Sequence, residues 1–329
     1  MKNIVILATG GTIAGKSCSC TNTSSYQSAV LSIEDILHKI NPLKEIANIT
    51  CEQLVQIDSA DMNHDIWLHL AKHINALLKQ QDIDGIVVTH GTDTLEETAY
   101  FLNLVVNSEK PVVLVGAMRP ATAISSDGPM NLYNAVILAA NPLAERKGVL
   151  VTLNDTINCS RDVTKTNTSL QDTFKAPELG YLGYIADGEP HFYRSPTRKH
   201  TYMTEFEIED VISLPLVHIL YGHVNDTGSL AYAALQDGAR GIIYAGVGNG
   251  NMSHTMEKVF SDIQQQGVIV VRSTRVSNGI VLRNGAINDD RNHFIAADTL
   301  SPQNARILLM LALTKTNKVD EIQGIFKNY

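Results

Sequence analysis

The sequence predicts an α/β protein of two domains, a larger N-terminal domain with a mostly parallel sheet and a smaller C-terminal domain with a parallel sheet. Short apolar, β-branched runs alternate with segments in which apolar residues recur every three or four positions. This alternation is typical of parallel strands joined by helical crossovers. A chain of 329 residues, 44% of them hydrophobic, is long enough to bury the cores of two domains.

The first half of the chain contains five predicted strands and four predicted helices. The strands are Ile4–Ala8, Leu54–Ile57, Gly85–Thr89, Pro111–Val115 and Gly148–Leu153. The first helix begins at Ser32, has Ile33, Ile36, Leu37 and Ile40 on one face, and ends at Pro42. The second begins at Met62, the third follows Asp93, and the fourth is Asn131–Ala140. The order of these elements predicts the larger domain over residues 1–190.

The second half repeats the pattern after an aperiodic segment rich in Gly, Pro, Tyr and charges, about Asp187 to Thr204. We interpret residues 191–213 as a linker and 214–329 as the second domain. The further predicted elements are the strands Leu216–Leu220, Gly241–Ala245 and Gly267–Val271, with helices between them and a final helix near Gln303–Leu313.

Composition excludes several classes of partner and site. A net charge of −8 without a basic cluster argues against nucleic acid and anionic membranes. No run approaches the roughly 18 apolar residues of a membrane span. The four cysteines and the scattered histidines do not have the spacing of a zinc site. We therefore expect no metal, no cofactor, no nucleic acid and no membrane. Because a core strand starts at the third residue, we expect a cytoplasmic protein, or a periplasmic one if a leader has been removed.

Two interpretations compete for the segment Gly10–Ser17, which follows the first strand. As a pattern it fits G-x-x-x-x-G-K-[ST], a phosphate-binding loop, which requires a helix starting at its Lys-Ser. Poor helix formers without an apolar period follow Ser17, so that requirement is not met. In the second interpretation, Thr12 places a hydroxyl group on a glycine-rich turn directly after a buried strand. The segment therefore favours a nucleophile over a nucleotide site.

Polar residues follow four predicted strands of the first domain, at the edge where α/β sheets bind ligands. They are Thr9–Thr12, Asp58–Asp61, Thr89–Thr94 and Gly116–Pro120. One such turn means little, since small polar residues are ordinary turn formers. Asp93 or Thr94 is also a candidate N-cap of the following helix. Four turns in successive βα units favour a site.

These turns resemble the bacterial type II L-asparaginases and the related glutaminase-asparaginases, and the resemblance spans essentially the whole chain. The matching segments are Ala8–Gly15, Thr89–Thr94, Val115–Pro120, Arg161–Thr166, Gly246–Asn251 and Gln303–Arg306. The resemblance implies an L-asparagine amidohydrolase with some L-glutaminase activity, acting through a threonine-linked acyl-enzyme. It also implies a homotetramer built as a dimer of intimate dimers, with each active site completed by a neighbouring subunit.

By this resemblance Thr12 is the nucleophile and Tyr26, on a lid from about Ala14 to Val30, activates or positions it. Thr92, Asp93 and Lys165 resemble a second triad, in which a neutral Lys165 is a candidate base. From the residues alone, Lys165 also fits an exposed cation in a polar loop. The predicted substrate-binding residues are Asp58, Ser59, Ala60, Gly91, Thr92, Asp93, Ala117 and, from the neighbouring subunit, Asn249.

The chain departs from the family pattern at Ala60, where asparaginases usually carry Gln or Glu, and at Ile287, which replaces an acidic residue that many relatives present across the interface. Both changes remove a polar contact to the α-amino end of the substrate. Affinity and the preference for asparagine over glutamine are therefore left open. The alternatives are a dual glutaminase-asparaginase, a nucleotide-binding protein and a non-catalytic amino-acid sensor.

Overall fold

The computed structural model describes residues 1–38, 40 and 42–329, and this chain divides into two compact units. Unit 1 is Met1–Asp210 and unit 2 is Val211–Tyr329. The division lies inside the segment 191–213 that the sequence suggests as a linker. His200 and Phe206 of that segment are buried within unit 1, so much of it packs as part of that unit.

Unit 1 contains an eight-stranded sheet and a separate two-stranded sheet. Its strands are β1 (Lys2–Gly10), β2 (Ala47–Ile57), β3 (Gly85–Thr89), β4 (Val112–Val115), β5 (Val149–Leu153), β6 (Thr156–Cys159), β7 (Thr164–Lys165), β8 (Phe174–Lys175), β9 (Gly183–Ala186) and β10 (Glu189–Phe192). The large sheet has the order β10-β9-β6-β5-β4-β3-β1-β2, and β7 pairs with β8. Strands β1 to β5 are parallel, whereas β6, β9 and β10 extend the sheet in antiparallel pairs.

In the part of the chain that the structure describes, five α-helices cover the large sheet. They are α1 (Ile33–Leu37), α2 (Leu43–Ile46), α3 (His64–Leu78), α4 (Leu95–Val105) and α5 (Gly128–Ala140). The helix predicted from Ser32 to Pro42 is wrong in length, because α1 ends at Leu37 and Pro42 is the N-cap of α2. Ser32 does begin α1, through a capping box with Asp35. Lys39 and Asn41 lie outside the described residues.

The core of unit 1 explains why its parallel strands are continuous apolar runs in the amino-acid sequence. Ile4, Ile6 and Ala8 of β1 pack in one cluster with α1, α2 and α5. The intervening residues Val5 and Leu7 are also buried, and they point to the opposite face because side chains alternate along a strand. A sheet covered on both faces needs apolar residues at every position.

The strand order creates a switch point between β1 and β3. The chain leaves β1 and returns as β2 on one side, and then returns again as β3 on the other side of β1. The turns that follow β1 and β3 therefore diverge from adjacent strand ends. In open α/β sheets, ligands bind in the crevice at such a point.

Unit 2 is a smaller α/β unit with a four-stranded parallel sheet of order β11-β12-β13-β14. Its elements are β11 (Val217–Tyr221), α6 (Ser229–Gln236), β12 (Gly241–Gly246), α7 (His254–Gln265), β13 (Ile269–Thr274), α8 (Asp289–Asn292), β14 (Ile295–Ala296), α9 (Pro302–Ala312) and α10 (Val319–Asn328). Residues of α6, α7, β12 and β13 share one apolar core.

These findings confirm the predicted fold class, with the large sheet in unit 1 and the parallel sheet in unit 2. The prediction lacked the short strands β6 to β10 and β14, the short helices α2 and α8, and the last helix, α10. Within the described residues, none of the helices is long and apolar enough to cross a membrane.

Candidate active site

The turn after β1 presents Thr12 on backbone that only glycine adopts easily. Gly10 and Gly11 have φ of 106° and 79°, and Thr12–Ala14 then form one 3-10 turn. Thr12 is only 6% exposed. A hydrogen bond of 2.7 Å joins its Oγ1 to the hydroxyl of Tyr26.

The loop that carries Tyr26 folds back onto this turn. Lys16 and Gln27 exchange two backbone hydrogen bonds of 2.9 Å, and the Ala29 N–H donates to the Gly11 carbonyl at 3.1 Å. These bonds bring Tyr26 beside Thr12 although 14 positions separate them. Lys16 pairs with another extended segment instead of opening a helix, so the phosphate-loop interpretation lacks its structural requirement.

The turn after β3 carries the second threonine. Lys165 Nζ donates to Thr92 Oγ1 at 2.9 Å and to Asp93 Oδ1 at 2.6 Å. Thr92 is 5% exposed, whereas the Asp93 side chain is 62% exposed. The two threonines thus differ in environment: one hydroxyl meets a phenol and the other meets an ammonium.

Lys165 reaches this turn because its backbone lies in β7, not in an exposed loop. The Lys165 N–H donates to Glu96 Oε2 at 2.6 Å, and Glu96 is a buried residue of the first turn of α4. Glu96 was not predicted as a site residue from the sequence. Its position three residues after Asp93, inside the helix that the turn opens, was the available signal.

A close approach of two glycines joins the turns after β1 and β3. A Cβ placed on Gly11 would lie 2.3 Å from the Cα of Gly91, and a Cβ on Gly91 would lie 2.6 Å from Ser59 Oγ. Side chains at either position would push the turns apart. The structure therefore brings the Thr12–Tyr26 pair and the Thr92–Lys165 pair to the same crevice, at the switch point of the sheet.

A buried chain of hydrogen bonds ends at the carbonyl of Gly91. Trp67 Nε1 donates to Thr98 Oγ1 at 2.8 Å, Thr98 Oγ1 lies 2.9 Å from His90 Nε2, and His90 Nδ1 lies 2.7 Å from the Gly91 carbonyl. The carbonyl can only accept, so Nδ1 carries the proton and Nε2 accepts from Thr98. Burial lowers the pKa of His90 to about 4, which agrees with a neutral ring.

The turn after β2 supplies the next predicted binding residues. Ser59 is buried, its Oγ accepts from the Asp93 N–H at 3.2 Å, and its carbonyl accepts from the Thr94 hydroxyl at 2.7 Å. Asp58 Oδ1 accepts from the Ala60 N–H at 3.0 Å. Thr94 occupies the N-cap position of α4 but makes no side-chain capping bond. Ala60 is exposed and offers only a methyl group.

The turn after β4 places Ala117 in a fully buried position. Asp127, which sequence analysis missed, holds this turn by accepting from the Met118 and Arg119 N–H groups, each at 2.9 Å. Asn131 adds a bond of 3.0 Å to the Gly116 carbonyl. The turn is thus fixed by polar groups at the start of α5.

Two predicted positions lie in unit 2. Asn249 is exposed on the turn between β12 and α7, and its side chain contacts Ile280 and Leu282 of its own unit. Ile287 is buried in the apolar core of unit 2. This corrects the interpretation of Ile287 as a position that faces a partner, because its side chain fills the interior of its own unit.

Among the described residues, His, Cys, Asp and Glu side chains form no group of three that could hold a metal ion. His69 and His73 stack on α3 with ring centroids 6.3 Å apart, and His73 Nε2 lies 2.7 Å from Glu52. The crevice instead combines two hydroxyls, a phenol, an ammonium and a carboxylate. Such a set can activate a hydroxyl nucleophile and a water molecule.

Comparison with known proteins shows similarity along the whole chain. Residues 3–198 match the family model described as the N-terminal domain of asparaginase, and residues 216–326 match the glutaminase/asparaginase C-terminal domain. The L-asparaginase 2 of Bacillus subtilis is 52% identical over 100% of this chain and 87% of its own length. The glutaminase-asparaginase of Pseudomonas fluorescens is 46% identical over 100% of this chain and 91% of its own length.

Solved structures give the same result. A crystal structure of the probable cytoplasmic L-asparaginase from Campylobacter jejuni superposes with a TM-score of 0.97, at 46% identity and with full coverage of both chains. Both family models and the full-length relatives cover the two units of the chain. The chain therefore belongs to the asparaginase family.

Proposed function

We propose that the protein hydrolyses L-asparagine to L-aspartate and ammonia, with L-glutamine as a secondary substrate. One observation carries this proposal: two buried threonines lie on turns that touch at Gly11 and Gly91, with Thr12 bonded to Tyr26 and Thr92 bonded to Lys165. A two-step amide hydrolysis needs one activated hydroxyl to form an ester and one activated water to break it. The names of the relatives support asparagine and glutamine as the amides.

In the first step Thr12 Oγ attacks the side-chain carboxamide carbon of the substrate. A threonine hydroxyl is too weak an acid to attack unaided, so Tyr26 acts as a proton relay: its hydroxyl takes the Thr12 proton at the 2.7 Å contact while it passes its own proton on. The proton that Tyr26 gives up reaches the amide nitrogen, which leaves as ammonia. The products of this step are ammonia and an ester between Thr12 and the β-carboxyl group of aspartate.

In the second step a water molecule hydrolyses that ester. Thr92 and Lys165 are the groups we propose to orient and activate the water, through the 2.9 Å bond between them. The water oxygen bonds to the ester carbon as one proton of the water passes through the Thr92–Lys165 pair. The bond to the Thr12 oxygen breaks, that oxygen takes up the proton, and L-aspartate is released. Both steps use side chains of the chain alone, so the proposal includes no cofactor and no metal.

The zwitterionic end of the substrate needs one partner for each charge. The exposed carboxylate of Asp93 is the partner that we propose for the ammonium group. The Ser59 hydroxyl and the N–H groups of the turns at Asp58, Gly91 and Thr92 suit the α-carboxylate. Ala60 adds no polar contact, and the buried Ala117 limits the space at the reacting end.

We propose further that the active form is a homotetramer, a dimer of intimate dimers in which Asn249 completes the site of a neighbouring subunit. Unit 2 exposes large apolar side chains on and after its edge strand β11, among them Tyr221 at 61%, Val224 at 93% and Leu230 at 63%. Exposed apolar groups near each other are typical of surfaces that bind another protein. This surface supports burial against a second copy.

A dual glutaminase-asparaginase is the second candidate. Its support is Ala60, which leaves room and removes a polar contact beside Ser59. One methylene separates the two substrates, and a pocket discriminates such a difference by only about 1–3 kcal/mol. The ratio of the two turnover rates decides between the candidates.

The test is ammonia release from L-asparagine and from L-glutamine by the wild type and by Thr12→Ala. We expect release from asparagine by the wild type, and a loss of at least about a thousandfold in kcat without the nucleophile. Thr255→Ala is the matched control, because Thr255 is exposed on α7 in the other unit. Absence of release from both amides by folded wild type would overturn the proposal and favour an ATP-binding or sensor protein.

A further inference from the structure

A buried ion pair in unit 2 lies beneath the turn that carries Asn249. Arg272 of β13 is 1% exposed and Asp289 of α8 is fully buried. Arg272 Nε donates to Asp289 Oδ1 and Nη2 donates to Oδ2, both at 2.6 Å. Asp289 Oδ2 also accepts from the Asn284 N–H at 2.7 Å. The pair has the two-bond geometry that arginine forms with a carboxylate.

The rest of the guanidinium holds the backbone of two surface segments. Nη1 donates to the carbonyls of Asn249 and Gly250 at 3.2 and 3.1 Å, and Nη2 donates to the Leu282 carbonyl at 3.0 Å. With the two bonds to Asp289, every one of the five N–H donors of an arginine is used. A lysine has only three donors and cannot reproduce this fork.

A second buried contact fixes the same turn from the side. The hydroxyl of Thr274 donates to the Gly248 carbonyl at 2.6 Å. The Asn249 side chain donates from Nδ2 to the Ile280 carbonyl at 3.2 Å and accepts at Oδ1 from the Leu282 N–H at 2.9 Å. Both the backbone and the side chain of Asn249 are therefore anchored to neighbouring segments of unit 2.

The turn needs such anchors because its backbone is unusual. Gly248 and Gly250 have φ of 51° and 65°, and glycine at these positions also adds freedom to alternative conformations. A buried ion pair is weak evidence of stability, since desolvation offsets most of its attraction, but it can specify one geometry. The Arg272–Asp289 pair specifies the geometry of a turn on the surface of unit 2.

We infer that Arg272, Asp289 and Thr274 are positioning residues that present Asn249 to the substrate. The inference rests on the proposed function, in which Asn249 binds substrate at a neighbouring active site. The three residues act through the turn and not on the reacting atoms. Their loss therefore raises KM for L-asparagine and leaves kcat, which depends on the threonines of unit 1, close to the wild-type value.

The sharpest variant is Thr274→Val, which removes one hydroxyl and keeps the side-chain shape. We expect KM for L-asparagine to rise about tenfold, with little change in kcat, because the variant loses the hydroxyl that donates to the Gly248 carbonyl and accepts from the Val276 N–H at 3.1 Å. Thr274→Ser retains the hydroxyl and restores the wild-type KM. Ser261→Ala, which removes a hydroxyl bond of 2.9 Å to Asn292 elsewhere in unit 2, is the control for a general loss of stability.

A double-mutant cycle separates positioning from a merely structural role. In the Asn249→Ala background, Thr274→Val should add no further rise in KM, because the group that it positions is already absent. Arg272→Lys should raise KM as Thr274→Val does, since the ammonium can keep the ion pair but not the carbonyl contacts of the turn. Circular dichroism and thermal unfolding show that each variant is folded before its kinetics are compared.

Three results would overturn the inference while the proposed activity stands. They are a wild-type KM in folded Thr274→Val alongside a raised KM in Asn249→Ala, additive effects in the double variant, and a wild-type KM in Asn249→Ala. Absence of ammonia release by the wild type would overturn the proposed function and, with it, the inference. The failure of one is therefore distinguishable from the failure of the other.

Discussion

At the scale of single residues, the site depends on which group each hydroxyl meets. Thr12 and Thr92 are chemically identical and similarly buried, yet one contacts Tyr26 and the other Lys165. A phenol beside Thr12 can take up the Thr12 proton while it passes its own proton on. The ammonium of Lys165 also pairs with Asp93, which ties the second threonine to the carboxylate that we propose for substrate binding.

Replacing Tyr26 with phenylalanine tests the first of these pairs. Tyr26→Phe removes only the hydroxyl that lies 2.7 Å from Thr12 Oγ1. We expect kcat for L-asparagine to fall about a hundredfold or more, the usual contribution of a positioned proton-transfer group, with KM much less affected. Tyr193→Phe is the control, because Tyr193 is 75% exposed. Equal kcat values for Tyr26→Phe and the wild type would show that Thr12 is activated by another group.

At the scale of elements, the turns after β1 and β3 form one crevice because two glycines let them touch. Gly11→Ala would place a Cβ 2.3 Å from the Gly91 Cα at a φ of 79°. We expect the free energy of unfolding to fall by about 2–4 kcal/mol, the sum of backbone strain and overpacking, and activity to fall as well. Chemical denaturation and steady-state kinetics measure the two effects.

Gly188→Ala is the control for a positive φ without a close contact; Gly11 also has a ψ of −170°, a combination that only glycine adopts easily. Gly188 also has a φ of 79° and also lies in unit 1, but its nearest neighbour to a new Cβ would be at an ordinary 3.6 Å. In this variant the free energy of unfolding should fall only by the cost of backbone strain, about 1 kcal/mol, and activity should be kept. If both variants lost the same stability, the close approach of the two turns would have no energetic weight.

Elements with strong local signals were predictable. Gly85–Thr89 has the predicted bounds, because an apolar run between turn residues defines a buried strand. Strands β6, β9 and β10 were missed because each combines a length of four residues with polar or small side chains, whereas β4, equally short, is a continuous run of Val and Leu. Their turns were readable: Asp187-Gly188 joins β9 to β10 with both residues at positive φ, the signature of a two-residue hairpin.

The site was predictable where it follows strands and not where it depends on distant packing. Thr12 and Thr92 follow β1 and β3, so the rule that ligands bind at strand ends finds them. Lys165 lies in a two-residue strand, and no periodicity marks so short an element. Glu96 and His90 contribute through buried hydrogen bonds, which depend on the folded geometry. Only the family resemblance indicated Lys165 beforehand.

At the scale of the whole molecule, the chain carries its proposed catalytic groups in unit 1 and Asn249 in unit 2. The proposal assigns Asn249 to the site of a neighbouring subunit, so one active site would combine residues of two chains. An isologous dimer contains two such sites, each with the same exchange of residues. This arrangement has a consequence that single variants cannot reveal, because both sites of a uniform dimer carry the same change.

Mixing two defective variants tests directly whether Asn249 belongs to the active site of a neighbouring subunit. Under the proposal Thr12→Ala has no nucleophile and Asn249→Ala binds substrate weakly, but a hybrid dimer would contain one site with both wild-type residues. After the subunits are dissociated and reassembled at equal amounts, roughly a quarter of all sites should be wild-type in composition. Ammonia release at low L-asparagine concentration should therefore exceed that of either variant alone.

The control is the same pair of variants mixed without dissociation, which should show only the average of the two separate activities. Thr12→Ala mixed with Lys165→Met should also gain nothing after reassembly, because both residues belong to unit 1 of one chain and no hybrid site regains both. Recovery in that second mixture would mean that unit 1 residues are shared between subunits. No recovery with Asn249→Ala would place Asn249 beside the catalytic groups of its own chain, or outside the site altogether.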